Sequence, residues 1–239
     1  MRQFWDDRVP KQQRLTDPQK VLLSQVGDVE GLRVLELGCG TGEISAVLDR
    51  LGANVTAVDF SSHMVDAAIA RHPDSRISFI NADVLHLDLR DRFDLILGTM
   101  FLHEIAQDDF VALVDVLDRH VAPKGRILFI ENSFFNPLFR FLRLRMVDKG
   151  VLRKVGSRNE TPFDASRFSL LKARFPTAQR RVDEFQLFGR AFNQFLSHFR
   201  FMGWTGRLGT AIDRMIDRFA PARIKLAWSY SQTIEATKL

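Results

Sequence analysis

Apolar residues along the first 131 positions fall into two alternating rhythms. Short, near-continuous runs rich in Val, Ile and Leu predict strands at Arg33–Leu37, Asn54–Asp59, Ile77–Asn81, Phe93–Gly98 and Arg126–Glu131. Runs of this kind suit strands covered on both faces. Between them, Glu43–Leu51, Ser62–Ala70 and Asp109–His120 carry apolar residues at helical spacing, as in Phe110, Leu113, Val114 and Leu117. Ser61 or Ser62 can cap the second helix, and Pro123-Lys124-Gly125 is a tight turn into the fifth strand. Such alternation predicts a parallel sheet joined by crossover helices.

Beyond residue 131 the rhythm changes. The pattern predicts helices at Leu138–Val147, Ala165–Arg174, Phe192–Met202 and Thr210–Phe219, and a polar loop at Lys149–Thr161. It also predicts a strand around Arg181–Leu187 and a final strand, Ala227–Ala236, that closes a sheet edge. The 239 residues hold no repeats and no low-complexity tract, and their number suits one α/β core with a modest cap.

Charge divides the chain as the rhythm does. Residues 1–130 hold 14 Lys+Arg against 20 Asp+Glu, whereas residues 131–239 hold 20 against 9 and carry 14 of the 21 Phe. A basic, Phe-rich half suggests contact with something anionic, apolar or both; the plainer reading is a cationic surface over a Phe-filled core. No window approaches a membrane span. The start has no apolar run of the kind a signal peptide needs, so a cytoplasmic protein is expected. Cys39 is the only cysteine, which excludes an internal disulfide and a thiolate metal cluster, and no metal is expected.

The densest chemistry sits at three predicted strand ends. Glu36-x-Gly38-x-Gly40-x-Gly42 leaves the first strand and opens a helix; glycines there permit a tight turn and a close approach of backbone to ligand. The second strand ends in Val58-Asp59-Phe60, and an acid at that place can accept from both hydroxyls of a ribose. The third ends in Asn81-Ala82-Asp83-Val84, where a carboxylate can accept from an adenine amino group. Three strand ends in register make one crevice. Gly40-Thr41-Gly42-Glu43-Ile44-Ser45-Ala46 also fits the dinucleotide pattern G-x-G-x-x-A, which keeps a nicotinamide enzyme open. A carboxylate at Glu36 would repel a pyrophosphate and favour a cationic ligand.

These residues resemble the class I, Rossmann-like S-adenosylmethionine-dependent methyltransferases. Leu35–Gly42 looks like that family's first motif, Asp59 its ribose acid, Asp83 its adenine-side acid and Phe93–Gly98 its fourth strand, over about residues 30–135. The resemblance implies a doubly wound α/β fold with a mostly parallel seven-stranded sheet and a helical insertion or cap in the second half. Within a single methyltransferase domain of residues 1–239, it divides the chain into an N-terminal helical cap (1–30), a cofactor-binding half (31–135), an acceptor-side half (136–224) and a closing strand (225–239). It implies S-adenosyl-L-methionine as cofactor, with Gly38, Cys39, Gly40 and Gly42 as the loop wall and Glu36 fixing the methionine-end amine through the loop. Asp59 would hold the ribose, Asp83 and Val84 the adenine, Phe60 and Met64 would flank the ring, and Gly98 would lie under the amino-acid end.

For methyl transfer, His103 in Thr99–Ile105 and Glu131, followed by Asn132, are the candidates for a base, which is needed only for an acceptor protonated at neutral pH. The alternatives are packing or cofactor contact for His103 and a cap or ion pair for Glu131. His198 and Trp204 sit among Phe residues and read as core. Gly98-Thr99-Met100-Phe101 stands where amino-methyltransferases of DNA bases and protein glutamine carry an Asn-Pro-Pro-Tyr-type tetrapeptide, which leaves small-molecule, sugar-linked and lipid-linked acceptors. Arg140, Arg143 and Arg145 in Leu138–Val147, and the stretch Phe192–Trp204, combine Arg with large apolar residues as interfacial helices do, so peripheral contact with the inner face of an anionic membrane is a further expectation. RNA ranks lower because no separate Lys/Arg-rich module is present. A membrane-surface or partner-binding module that keeps only the fold remains an alternative at this stage.

Overall fold

A computed structural model of the chain describes residues 14–132, 135, 163–182, 187–188, 205–229 and 231–239. The helices predicted at Leu138–Val147 and Phe192–Met202, the loop Lys149–Thr161, and His198 and Trp204 lie outside the described residues.

Alternation of buried side chains explains the sheet. β1 (Arg33–Leu37), β2 (Asn54–Asp59), β3 (Ser78–Asn81), β4 (Phe93–Thr99) and β5 (Val121–Asn132) pair in parallel. Val34, Leu95, Leu97, Leu128 and Ile130 enter one apolar cluster, with Leu22, Ile44 and Leu48. Leu35, Leu37, Ile96, Ile127 and Phe129 enter the other, with Leu113, Leu117, Leu171 and Phe175. Neighbours along a strand thus serve opposite faces, and this is why the strands read as unbroken apolar runs.

Helices α2 (Glu43–Arg50), α3 (Ser62–Arg71) and α4 (Phe110–His120) follow β1, β2 and β4, as the spacing predicts. Ser61 caps α3, its Oγ accepting from the N–H of Met64. Ahead of β1 lies α1 (Asp17–Leu23), and α5 (Ala165–Arg174) begins where Asp164 accepts from the N–H groups of Ser166 and Arg167.

The strand order is β3-β2-β1-β4-β5-β7-β6, with β6 (Gln179–Arg181) and β7 (Ser231–Thr237). β7 runs antiparallel to both β5 and β6. Glu235 on β7 meets Arg126 of β5 at 2.9 Å and Arg181 of β6 at 3.0 Å, a charge bracket that favours this register.

Five expectations need correction. The final strand does not close an edge: it lies inside the sheet, with β6 beyond it. It does not begin at Ala227 either, because Ala222–Trp228 is a helix, α7, built of good helix formers behind Pro221. The strand expected around Arg181–Leu187 ends at Arg181 and starts earlier, at Gln179. The helix expected from Thr210 begins at Thr205 and runs to Phe219 as α6. β5 also begins earlier than expected, at Val121; it contains the Pro123–Gly125 turn, where Lys124 takes φ +62°.

Candidate active site

The glycine loop is fastened to the end of β2. The N–H groups of Gly38 and Cys39 both donate to the carbonyl of Val58, at 2.8 and 3.1 Å. Asp59 completes the fastening: one carboxylate oxygen accepts from the N–H of Gly40 at 2.8 Å, the other from that of Ser61 at 2.9 Å. Gly40 reaches Asp59 with φ +54°, a conformation side chains oppose, and a Cβ there would meet open space rather than protein. Gly42, also left-handed, is the N-cap residue ahead of α2. From the third strand, the Asn81 side-chain amide donates to the carbonyls of Asp59 and Phe60, at 3.0 Å each, so the ends of β2 and β3 are tied together.

The other candidates take different positions. Asp83 caps the short turn Val84–His86 through the N–H of Leu85, and its carboxylate lies 3.3 Å from His86. Val84 and Met64 are buried, Val84 in the sheet core. Phe60 is exposed at the rim beside Asp59. Cys39 is buried in the cluster beneath α2, where desolvation pushes its thiol well above the usual range.

Glu36 lies under the loop rather than on it. The Ser45 hydroxyl at the start of α2 donates to its carboxyl. Burial raises its pKa to about 8 against the opposing Ser45 hydrogen bond, with the Glu43 and Asp59 charges adding to the rise. At neutral pH this group is largely uncharged, so the electrostatic argument against a pyrophosphate loses its main support.

β4 ends where its neighbours leave no room for a side chain. A Cβ on Gly98 would stand 2.7 Å from the Leu37 carbonyl and 3.0 Å from the Phe129 ring. Met100 then takes φ +53° while donating to the Ile130 carbonyl at 2.8 Å; this left-handed turn costs about 1–3 kcal/mol. It aims the next two amides at β5, where one oxygen of the fully buried Glu131 accepts from the N–H groups of both Phe101 and Leu102. The other oxygen accepts from His103 Nδ1 at 2.8 Å, while His103 Nε2 lies 3.4 Å from Glu104. Locked in this way, Phe101 rests against Gly38, 2.8 Å from where a Cβ would be.

Burial alone would lower the His103 pKa, but the Glu131 charge and the hydrogen bonds with Glu104 and Glu131 outweigh it and raise it to about 10. The buried Glu131 carboxylate thus favours the protonated, hydrogen-bond-donating form of His103. Among the described residues, the two candidate bases form one buried ion pair.

Sequence reasoning missed the support of this segment from below. Arg167 on α5 is fully buried; it donates to the carbonyls of Ile105 at 2.6 Å and Leu102 at 3.4 Å and to the Gln107 side chain at 2.9 Å, and stacks over Phe110. Ser-Arg-Phe-Ser in a helix carries no signal of this. Phe101 and Asn81 were legible only as members of their segments.

A methyltransferase domain model matches residues 34–125. Malonyl-[acyl-carrier protein] O-methyltransferase of Bacillus cytotoxicus is 35% identical over 127 residues, 51% of this chain and 43% of that protein. Magnesium-protoporphyrin O-methyltransferase of Rhodobacter capsulatus is 36% identical over 110 residues, 45% of this chain and 43% of its own. Among solved structures, an N-methyltransferase, NodS, of Bradyrhizobium japonicum bound to S-adenosyl-L-homocysteine superposes with a TM-score of 0.61 at 15% identity, covering 99% of this chain and 97% of that one. The chain carries, at residues 34–125, a methyltransferase domain within a Rossmann-like methyltransferase fold. It spans less than half the length of the curated relatives it matches.

The methyltransferase sheet agrees with this and not with the nicotinamide alternative, whose doubly wound sheet has the order 3-2-1-4-5-6, whereas here an antiparallel β7 stands between β5 and β6. Among the described residues no His, Cys, Asp and Glu cluster could hold a metal.

The raised pKa values of Glu36 and His103 carry a pH prediction for this methyltransferase domain. A group whose folded pKa exceeds its unfolded one stabilises fully below the unfolded value and loses that contribution as pH climbs through the folded value. For Glu36 the loss runs from 4.5 to about 8, and for His103 from 6.5 to about 10. Urea unfolding midpoints should therefore fall steadily toward alkaline pH, and His103→Gln should remove the upper part of that slope. Midpoints that stay level or rise across this range would contradict the buried ion pair.

Proposed function

We propose that this protein transfers a methyl group from S-adenosylmethionine to an oxygen of a small anionic acceptor, lipid- and sugar-linked acceptors included, and that the acceptor atom is already ionised at neutral pH. The cradle fits the cofactor. Gly38, Gly40 and Gly42 present main chain without side chains, Asp59 offers carboxylate lone pairs for a ribose, and Asp83 and Val84 stand at the next strand end for an adenine. Phe60 and Met64 would border the ring. The cofactor, when bound, supplies a methyl on a sulfonium already activated for in-line displacement, so the protein's task is alignment and exclusion of water.

The observation that carries the acceptor class is the His103–Glu131 pair. Both oxygens of Glu131 already accept hydrogen bonds and its charge favours the protonated form of His103, so the pair is poorly suited to take a proton from an acceptor. An acceptor that needs no base, such as a carboxylate, matches that chemistry. Support comes from the two curated relatives described above, both O-methyltransferases by name. An N-methylation of an unprotonated amine is the second reading, supported by the fold likeness to an N-methyltransferase.

Calorimetry with S-adenosylmethionine and with NADH tests the cofactor, heat being expected with the first alone; no heat with the sulfonium defeats the proposal. For the acceptor, turnover of carboxylate acceptors should be level with pH around neutrality. An activity limb centred near an unperturbed imidazole, and abolished in His103→Gln, would instead make His103 the base.

A further inference from the structure

α6 carries more apolar surface than it buries. Among its residues of described burial, Gly209 and Asp213 are buried and Ile212 and Ile216 half-buried, whereas Leu208, Met215 and Phe219 stand 45%, 58% and 75% exposed. At 100° per residue, these three fall within about 40° of one another. Arg207, Arg214 and Arg218 repeat the same spacing one residue earlier and form an exposed stripe along the flank of the apolar strip.

The inward side is explained. Asp213 accepts from the N–H groups of Leu187 and Phe188, at 3.1 and 2.9 Å, and so fastens the helix to the body. Asp217, the other carboxylate of α6, pairs with Lys225 of α7 at 3.0 Å. α7 has no acid and adds exposed Ile224 and Trp228 beside exposed Arg223. Both carboxylates of the helix pair are thus engaged, and among the described residues no acid pairs with Arg207, Arg214, Arg218 or Arg223. A protein that faces only water has no use for a row of Leu, Met, Phe, Ile and Trp held outward.

We infer that α6 and α7 form a docking surface for an anionic lipid bilayer. An apolar strip flanked by arginines is the pattern of a helix lying in the headgroup boundary, where apolar side chains sink and cations meet lipid phosphates. An acidic protein partner would meet a strip with few hydrogen-bonding groups at its centre, whereas a bilayer requires none there. No helix among the described residues is long and apolar enough to cross a membrane, so the contact is from one side. Its location suits the proposed reaction: α7 leads into Ser231, which pairs with Asn132 at the C-terminal end of β5. That is the sheet edge at which Gly38, Asp59 and Gly98 lie. The surface would bring that edge to the place where lipid-linked acceptors reside, the only part of the inference that rests on the proposed reaction.

The test is co-sedimentation of the full chain with vesicles of phosphatidylcholine alone and with phosphatidylglycerol added. Binding is expected only with the anionic lipid and should fall as salt is raised. Replacing both Met215 and Phe219 by Glu should weaken it at least about tenfold, and each of Arg207→Ala, Arg214→Ala and Arg218→Ala by about fivefold. Thermal melts and cofactor calorimetry should match the parent, since these side chains are exposed. No binding, equal binding to neutral vesicles, or variants that bind like the parent would overturn the inference. So would a dimer in gel filtration that the same substitutions dissolve, which would make a second copy the occupant. The vesicle measurement does not involve the cofactor, so its failure leaves the proposed reaction standing, and the reverse also holds.

Discussion

Glu131→Ala is expected to cost about 3–5 kcal/mol of folding stability, the range for removing one partner of a buried charge pair. The size follows from what the carboxylate does. It is the acceptor for two main-chain N–H groups, of Phe101 and Leu102, and for the ring N–H of a buried imidazolium. Each orphaned amide costs about 1–3 kcal/mol when no water replaces the acceptor. His103 would keep Glu104, which is farther away, and would shed its proton more readily. The damage should also reach the glycine loop, because the ring of Phe101 rests on Gly38 only while its amide is held. Glu131→Gln, which keeps an oxygen for the amides and the same volume, should lose roughly half as much. Urea unfolding at neutral pH measures both, and a loss under about 1 kcal/mol for the alanine variant would mean that water or another group takes over.

The second large effect is on affinity. Asp59→Ala should weaken binding of S-adenosylhomocysteine by about a hundredfold, or about 2.7 kcal/mol. Two contributions combine. The loop loses the carboxylate that holds Gly40 in its left-handed conformation and orders Ser61, and the proposed ribose contact loses a charged acceptor, which alone is worth about 1.5–3 kcal/mol. Asp59→Asn keeps one oxygen acceptor and should fall between the two. Titration calorimetry reads the affinities, and the urea midpoint separates local from global damage, since Asp59 is at the margin of the core. Unchanged affinity in Asp59→Ala would remove Asp59 from the proposed ribose site.

The first half of the fold was legible because its strands are buried on both faces, so that each apolar run is itself the signal. β1 and β2 coincide with the spans read from the sequence, and β3, β4, α2, α3 and α4 agree to within a residue or so. The second half follows other rules. β6 has three residues and no run to read, and the Ala and Leu of Ala222–Trp228 sit next to a genuine strand, so local composition merged the two. At the site, the glycine loop and Asp59 were legible because backbone conformation dictates glycine and the acid follows at a strand end. Protonation states were not. Glu36 is moved by its burial beneath the loop and His103 by Glu131 on another strand, and only the fold supplies either environment. Arg167 shows the same limit, being a cation in a helix whose burial depends on carbonyls about 60 residues earlier.

The position of β7 fixes an order of assembly. β6 precedes it in the chain, yet among the described residues β6 pairs with the sheet through β7 alone. As the chain is synthesised, β3-β2-β1-β4-β5 can condense from neighbours close in sequence, leaving the flank of β5 as an unpaired template, while β6 has nothing to pair with until β7 arrives. β7 therefore acts as a late keystone, and the open flank of β5 is the place where a stalled chain would recruit a stranger's strand.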